Sequence, residues 1–406
     1  MLTCMFPVAG LITVYCYLVY NCFNLQRRLI PLKELILIFA ITAASFGYGL
    51  TPIGETDLTR YFKMLSNFEG MSFLDILKKD KTHLYTRDLL FYFVYKTGDV
   101  HLLPFITGFN IYGICGYILY DQTKRSKHRF TAEEFLILVT ITFSIITPYS
   151  LIGNVRCVQA YIIISLGVYR ELVEKKRDIL SYILYVIAIG LHSSAFLLVA
   201  VRFLYRIFKR FRYIVLFLPL VMPFLIDLSY SFVDYYPFVI KSTVSKAHSY
   251  LHWTTGGFAS EIGTYLSNKI IRAYGTFYLI SILACLHLYK RWVKESLLNN
   301  PMICYLFSIL ILALSSLTIK LGVFWRLESV VVLFSPIYIV PMIASENVRL
   351  RKIIYGIFFS SVLMAGANLV YMMRNIVPIE TFENMLSLNG FYVLYSFLKG
   401  FTLFLR

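Results

Sequence analysis

Six side chains in this 406-residue chain stand where chemistry could be done: Arg60, Arg156, Arg272 and Arg326, with His192 and Asp57. Arginine presents a planar fork of donors that meets a phosphate or diphosphate with two contacts at once. An unperturbed imidazole titrates near pH 6.5, which suits His192 either to take a proton or to hold an anion. Asp57 closes the run Gly54-Glu55-Thr56-Asp57 that leads into Arg60-Tyr61, where it could hold an acceptor hydroxyl or orient Arg60. Such a set suits group transfer from a substrate that carries its own anionic leaving group.

The elements that must position these residues follow from composition. The chain is 58% hydrophobic and 15% charged, against roughly 25% charged in a soluble domain. Apolar runs of about 17–25 residues, enough to cross a bilayer, recur along it. An all-α, polytopic transmembrane helical bundle is expected, forming one integral membrane domain over residues 1–406. The net charge of +17 sits in short clusters: Arg27–Arg28, Lys124–Arg129, Lys175–Arg177, Arg202–Arg212, Lys290–Lys294 and Arg349–Lys352. Clusters between apolar runs are the positive-inside signature, so membrane lipids and not nucleic acid are the expected surroundings.

Placing all six clusters in the cytoplasm sets a path. Spans run roughly over 5–23, 34–51, 102–120, 134–152 and 156–173, the first read as a retained span and not a signal peptide. Between Lys175–Arg177 and Arg202–Arg212 lies one apolar run, Ile179 to Val201. A single crossing would strand one cluster outside, so a re-entrant-like hairpin near 179–201 is expected. Its arms of about 12 residues, near 18 Å, are too short to cross. The turn falls at Gly190-Leu191-His192-Ser193-Ser194, which places His192 in a cavity open to the outside, because backbone turns at that depth need protein or water around them.

Further spans are expected near 213–229, 274–290, 302–321, 327–344 and 353–371, with Phe391 to Leu405 crossing or lying along the interface. The total is about 11–13 membrane segments. Two long outer loops remain, 52–101 and 231–272, within which Thr86–Thr97 and Ser260–Ile271 read as short amphipathic surface helices.

On this path Arg60, Arg87, Arg156, Arg272, Arg326 and Arg374 lie at outer ends of spans. An arginine beside apolar helix is costly unless paired or solvated, and often marks a substrate path. The plainer alternative is snorkelling, or pairing with Glu328, Asp57 or Glu261. His248 and His252 stand four apart, but no carboxylate or cysteine completes a ligand set, so no metal is expected. The seven cysteines lie in or beside apolar segments without metal or pairing spacing, and read as packing residues. No nucleotide-binding loop, dinucleotide fingerprint, nucleophile elbow or zinc-protease motif occurs, and no cofactor is expected.

The chain resembles the Wzy-type polysaccharide polymerases, in particular the EpsG-like branch. The resemblance rests on Gly54-Glu55-Thr56-Asp57 with Arg60-Tyr61, Asn154-Val155-Arg156 followed by Gln159-Ala160, Gly190–Ala195, and Phe324-Trp325-Arg326-Leu327 before Pro336. It implies a membrane glycosyltransferase of the bacterial cytoplasmic membrane that polymerises polyprenyl-diphosphate-linked oligosaccharide repeats outside the cytoplasm, building capsule, exopolysaccharide or O-antigen. A chain-length regulator protein is a candidate partner. Under this reading Arg156, Arg326, Arg60 and Arg272 bind the diphosphate, and His192 and Asp57 are the catalytic candidates, His192 taking the acceptor proton or binding the diphosphate. Two rivals belong to other classes. A lipid-linked oligosaccharide flippase would show short outer loops and internal repeats, neither of which is visible here. A membrane O-acyltransferase would also use a histidine, but no flanking pattern supports it.

Overall fold

In the computed structural model, residues 10, 12–13, 15–17, 19–20, 32–51, 56–79, 84–144, 146, 152–211, 218–252, 266–293, 296–317, 321–345, 347–375, 383–384 and 388–404 are described. Every regular element among them is helical. The principal helices are α1 (Leu32–Gly49), α2 (Asp57–Leu65), α3 (Phe73–Lys79), α4 (Tyr85–Thr97), α5 (Leu102–Ser126) and α6 (Ala132–Ser144). They are followed by α7 (Cys157–Leu172), α8 (Ile179–Leu191), α9 (Ala195–Arg210), α10 (Leu218–Ser231), α11 (Phe238–His252) and α12 (Leu266–Val293). The last are α13 (Pro301–Ser316), α14 (Leu321–Leu333), α15 (Pro336–Ala344), α16 (Val348–Asn375) and α17 (Gly390–Phe404). Among the described residues three stretches are long and apolar enough to cross a membrane: Leu102–Ser126, Val323–Ala344 and Val348–Ala367. Ile36–Gly49, Ile179–Leu191 and Pro301–Ser316 are shorter apolar helices. Most of the expected first span, 5–23, lies outside the described residues.

The chain divides into two compact units. The first comprises residues 1–163, 190–192 and 360–406. Within it α1 and α5 pack through small residues. A Cβ on Gly108 would lie 2.8 Å from the Ala43 carbonyl oxygen, and one on Gly47 would strike the Pro104 carbonyl. Lipid tails are as apolar as leucine, so close backbone approach of this kind is what holds membrane helices together.

The segment 52–101, expected as a long loop, is largely helical where it is described, and it builds a core of its own. Leu58, Tyr61, Leu65, Phe91, Tyr92 and Val94 bury against Leu50, Leu102, Leu103 and Val155. Two of its short helices, α2 and α3, are started by side chains. Thr56 caps α2 by accepting from the Thr59 N–H at 3.2 Å. Ser72 and Asp75 cap α3 reciprocally: the Ser72 N–H and hydroxyl donate to the Asp75 carboxylate at 2.9 and 2.6 Å, and the Asp75 N–H donates back to the Ser72 hydroxyl at 3.3 Å. Those bonds hold the Asp75 carboxyl below its ordinary range. Gly98, at φ 71°, ends α4 in the left-handed conformation that glycine takes without strain. The expected helix over Thr86–Thr97 is α4, and α17 packs on it through Phe93 and Phe397, with ring centroids 5.8 Å apart.

The second unit comprises residues 164–189 and 193–359. Its centre is α13, buried along nearly its whole length. Asn300 starts this helix by accepting from the Met302 N–H at 2.9 Å, with Pro301 in the first turn, where a missing N–H costs nothing. Tyr278 on α12 donates to the Tyr338 hydroxyl at 2.9 Å, and Tyr338 donates to the Val331 carbonyl at 2.9 Å, tying α12 to the α14–α15 break. Of the expected surface helix over Ser260–Ile271, the first residues lie outside the described set and the remainder begins α12.

Candidate functional site

Arg156 sits in the turn that opens α7, and its carbonyl accepts from the Ala160 N–H at 3.1 Å. Val155 beside it is fully buried in the core of the 52–101 segment, which fixes where the arginine emerges. Tyr61, on α2, holds the guanidinium. The Arg156 Nε donates to the Tyr61 hydroxyl at 3.1 Å, and the Arg156 Cζ lies 5.0 Å from the Tyr61 ring centroid. No carboxylate pairs with Arg156 among the described residues, and the first turn of α7 carries no acid. A helix start presents unpaired N–H groups and a partial positive charge. A cation placed there without a carboxylate makes an anion-receptive corner.

Asp57 and Arg60 lie on the same short helix as Tyr61. Arg60 pairs with Asp57 at 2.8 Å, with both side chains well exposed. This pairing is the plainer alternative for Arg60 and is equally the contact by which Asp57 would orient it; Asp57 also complements the dipole at the start of α2. Gly54 and Glu55 lie outside the described residues.

His192 falls in the break between α8 and α9, where the sequence places a hairpin turn. The arms have 13 and 16 residues, roughly 20 and 24 Å at 1.5 Å per residue. Gly190, two residues earlier, makes the close approach possible: a Cβ there would run into the Thr86 side chain at the start of α4. His192, Arg156, Tyr61, Asp57 and Arg60 thus all belong to the first unit.

The other two expected arginines belong to the second unit. Arg326 lies well inside α14, half-buried, and not just ahead of a span that starts at 327 as expected. Arg272 lies in α12, with its side chain outside the described set. Arg87 is taken up by Asp88 at 2.6 Å. The structure therefore brings Arg156, Tyr61, Asp57 and Arg60 into one neighbourhood.

Two groups were under-read in the sequence. Glu328 is only 3% exposed inside a candidate membrane stretch, with no ion-pair or hydrogen-bond partner among the described residues, so the plainer alternative of an arginine paired with it is not seen. Gly275 on α12 makes room for it, since a Cβ there would collide with the Glu328 carboxylate. An intramembrane carboxylate of this kind is costly and usually functional; its position inside an apolar helix was the available signal. The second is Asp227. The expectation that no carboxylate joins His248 and His252 is overturned, because α10 brings Asp227 to both rings. Sequence distance hid it, since the approach comes from packing of α10 on α11.

A further arginine, Arg202 on α9, is neutralised within the second unit. Its Nε and a terminal nitrogen both reach one Glu171 oxygen at 2.8 Å. The pair lines a cavity of about 380 Å³ together with Lys175, Arg177, Tyr205 and Arg206.

No curated protein and no solved structure matches this chain. A family model does match, that of the EpsG family, over residues 34–381. That span takes in Tyr61, Arg156, the His192 break and Arg326. With well over half its length so matched, this helical membrane chain belongs to the EpsG family, an EpsG-like polysaccharide polymerase family.

Proposed function

We propose that this protein is a glycosyltransferase of the bacterial cytoplasmic membrane that polymerises polyprenyl-diphosphate-linked oligosaccharide repeats into surface polysaccharide on the outer side. The observation that carries the reading is Arg156: a guanidinium held by an aromatic ring and hydroxyl, at a helix start, with no carboxylate partner among the described residues. Such a group is completed by a doubly charged anion that it meets through paired N–H donors.

In the proposed reaction the acceptor hydroxyl of a fresh lipid-linked repeat attacks the anomeric carbon of the growing chain. The new glycosidic C–O bond forms as the bond to the lipid diphosphate breaks, inverting that carbon. Arg156 neutralises charge developing on the departing diphosphate, a contribution that strengthens as the bond breaks. Arg60, on the same short helix as Tyr61, is assigned a supporting contact to phosphate. His192 takes the acceptor proton or binds the diphosphate. Asp57 orients Arg60 or the acceptor. No cofactor is required, because the bond to diphosphate is already activated.

Deletion of the gene, followed by gel separation of surface polysaccharide and mass analysis of lipid-linked precursors, tests this. Loss of long polymer with single repeats accumulating on the outer face is expected, and Arg156→Ala or His192→Ala should reproduce it without loss of membrane insertion. Unchanged polymer length in the deletion, or single repeats trapped on the inner face, would overturn the reading.

A further inference from the structure

We propose that Asp227, His248 and His252 form a site for a divalent transition-metal ion of the zinc class, with one coordination position left open. His248 and His252 are four residues apart on α11, so they share one helix face. The Asp227 Oδ1 on α10 lies 2.6 Å from the His252 Nε2 and 3.7 Å from the His248 Nε2. One ligand atom from each residue falls within 4.8 Å of the others. A tetrahedral ion with bonds of about 2.0–2.2 Å needs ligand atoms about 3.3 Å apart, so small rotamer changes close the set.

The hairpin around these ligands is braced. Tyr230, one turn beyond Asp227 on α10, stacks on the His248 ring with centroids 3.7 Å apart and planes 7° apart. Near the turn, Lys241 pairs with Asp234 at 2.7 Å. A simple His252–Asp227 ion pair at the surface would contribute little, and would require neither the second histidine nor the ring that orients it.

Two imidazoles and one carboxylate favour zinc and its neighbours over magnesium or calcium, which prefer all-oxygen sites. Side-chain exposures of 44% for Asp227, 27% for His248 and 53% for His252 leave the site open to solvent. Three protein ligands with access from solvent is the pattern of a zinc site that binds a water or an anionic oxygen in its fourth position. The inference is independent of the polymerase reading, since it concerns binding of the ion itself.

The test uses the full chain in detergent, purified through a tag without histidines and titrated with Co²⁺, whose visible absorption reports its ligand geometry. One equivalent is expected, with bands of a low-coordinate site that disappear on adding Zn²⁺. Asp227→Asn and His252→Ala should each weaken binding by about a hundredfold or more, since even supporting residues around a metal are worth about 10–100-fold. Both positions are solvent-exposed, and unchanged elution and thermal unfolding of the variants would exclude misfolding. No stoichiometric Co²⁺ binding, or binding that survives in both variants, would overturn the proposal.

Discussion

Arg156 and Arg202 are both arginines set among apolar helices, and they are held in opposite ways. Arg202 gives its fork to the buried carboxylate of Glu171. Arg156 rests on the ring and hydroxyl of Tyr61 and keeps its full charge, at a helix end that is itself positive. A phenol orients a guanidinium without cancelling it. The difference separates an arginine neutralised within the fold from one left without a carboxylate among the described residues. In sequence both stand beside hydrophobic residues, Arg202 at the head of a basic cluster and Arg156 alone.

If that contrast is right, the variants divide cleanly. The largest effect on stability is expected for Arg202→Ala, which leaves Glu171 buried and unpaired and should cost about 3–5 kcal/mol. Glu171→Leu combined with Arg202→Leu should recover most of it, as measured by thermal unfolding in detergent. Arg156→Ala should leave unfolding nearly unchanged and lower polymer formation by about 10²–10³-fold, the usual cost of losing a donor aimed at developing negative charge. Arg156→Lys should restore little, because a point charge does not replace the planar fork.

Smaller effects sharpen the comparison. Tyr61→Phe keeps the ring under the guanidinium and removes the hydroxyl, so a loss of about 0.5–1.5 kcal/mol in transition-state stabilisation is expected from polymerisation rates. Asp57 and Arg60 are both exposed, and a double-mutant cycle on unfolding should give a coupling of about 0.2–1 kcal/mol. A larger stability coupling would mean that the pair is a structural clamp and not part of the substrate surface.

Local features of this molecule were legible from sequence, and tertiary ones were not. The break at His192 could be read because two basic clusters bracket an apolar run too short for two crossings, with Gly190 and a Ser-Ser pair inside it. The start of α7 at Cys157 followed from the apolar run after Asn154-Val155-Arg156. The aromatic seat under Arg156 was not visible, since Tyr61 lies 95 residues away and reaches it only through the core of the 52–101 segment. Hydropathy also missed α2 and α3 of that segment, because their signals are the caps Thr56 and Ser72 and not apolar length. Asp227 was missed for the same reason as Tyr61: its partners are on another helix.

The central claim, that Arg156 holds the diphosphate of a lipid carrier, is tested most directly by binding. Purified wild type and Arg156→Ala would be titrated with a polyprenyl diphosphate and with the matching monophosphate. Preference for the diphosphate in wild type is predicted, with a loss of about 10–100-fold in the variant, the range for a hydrogen bond to a charged group. Equal diphosphate affinity in the two proteins would contradict it.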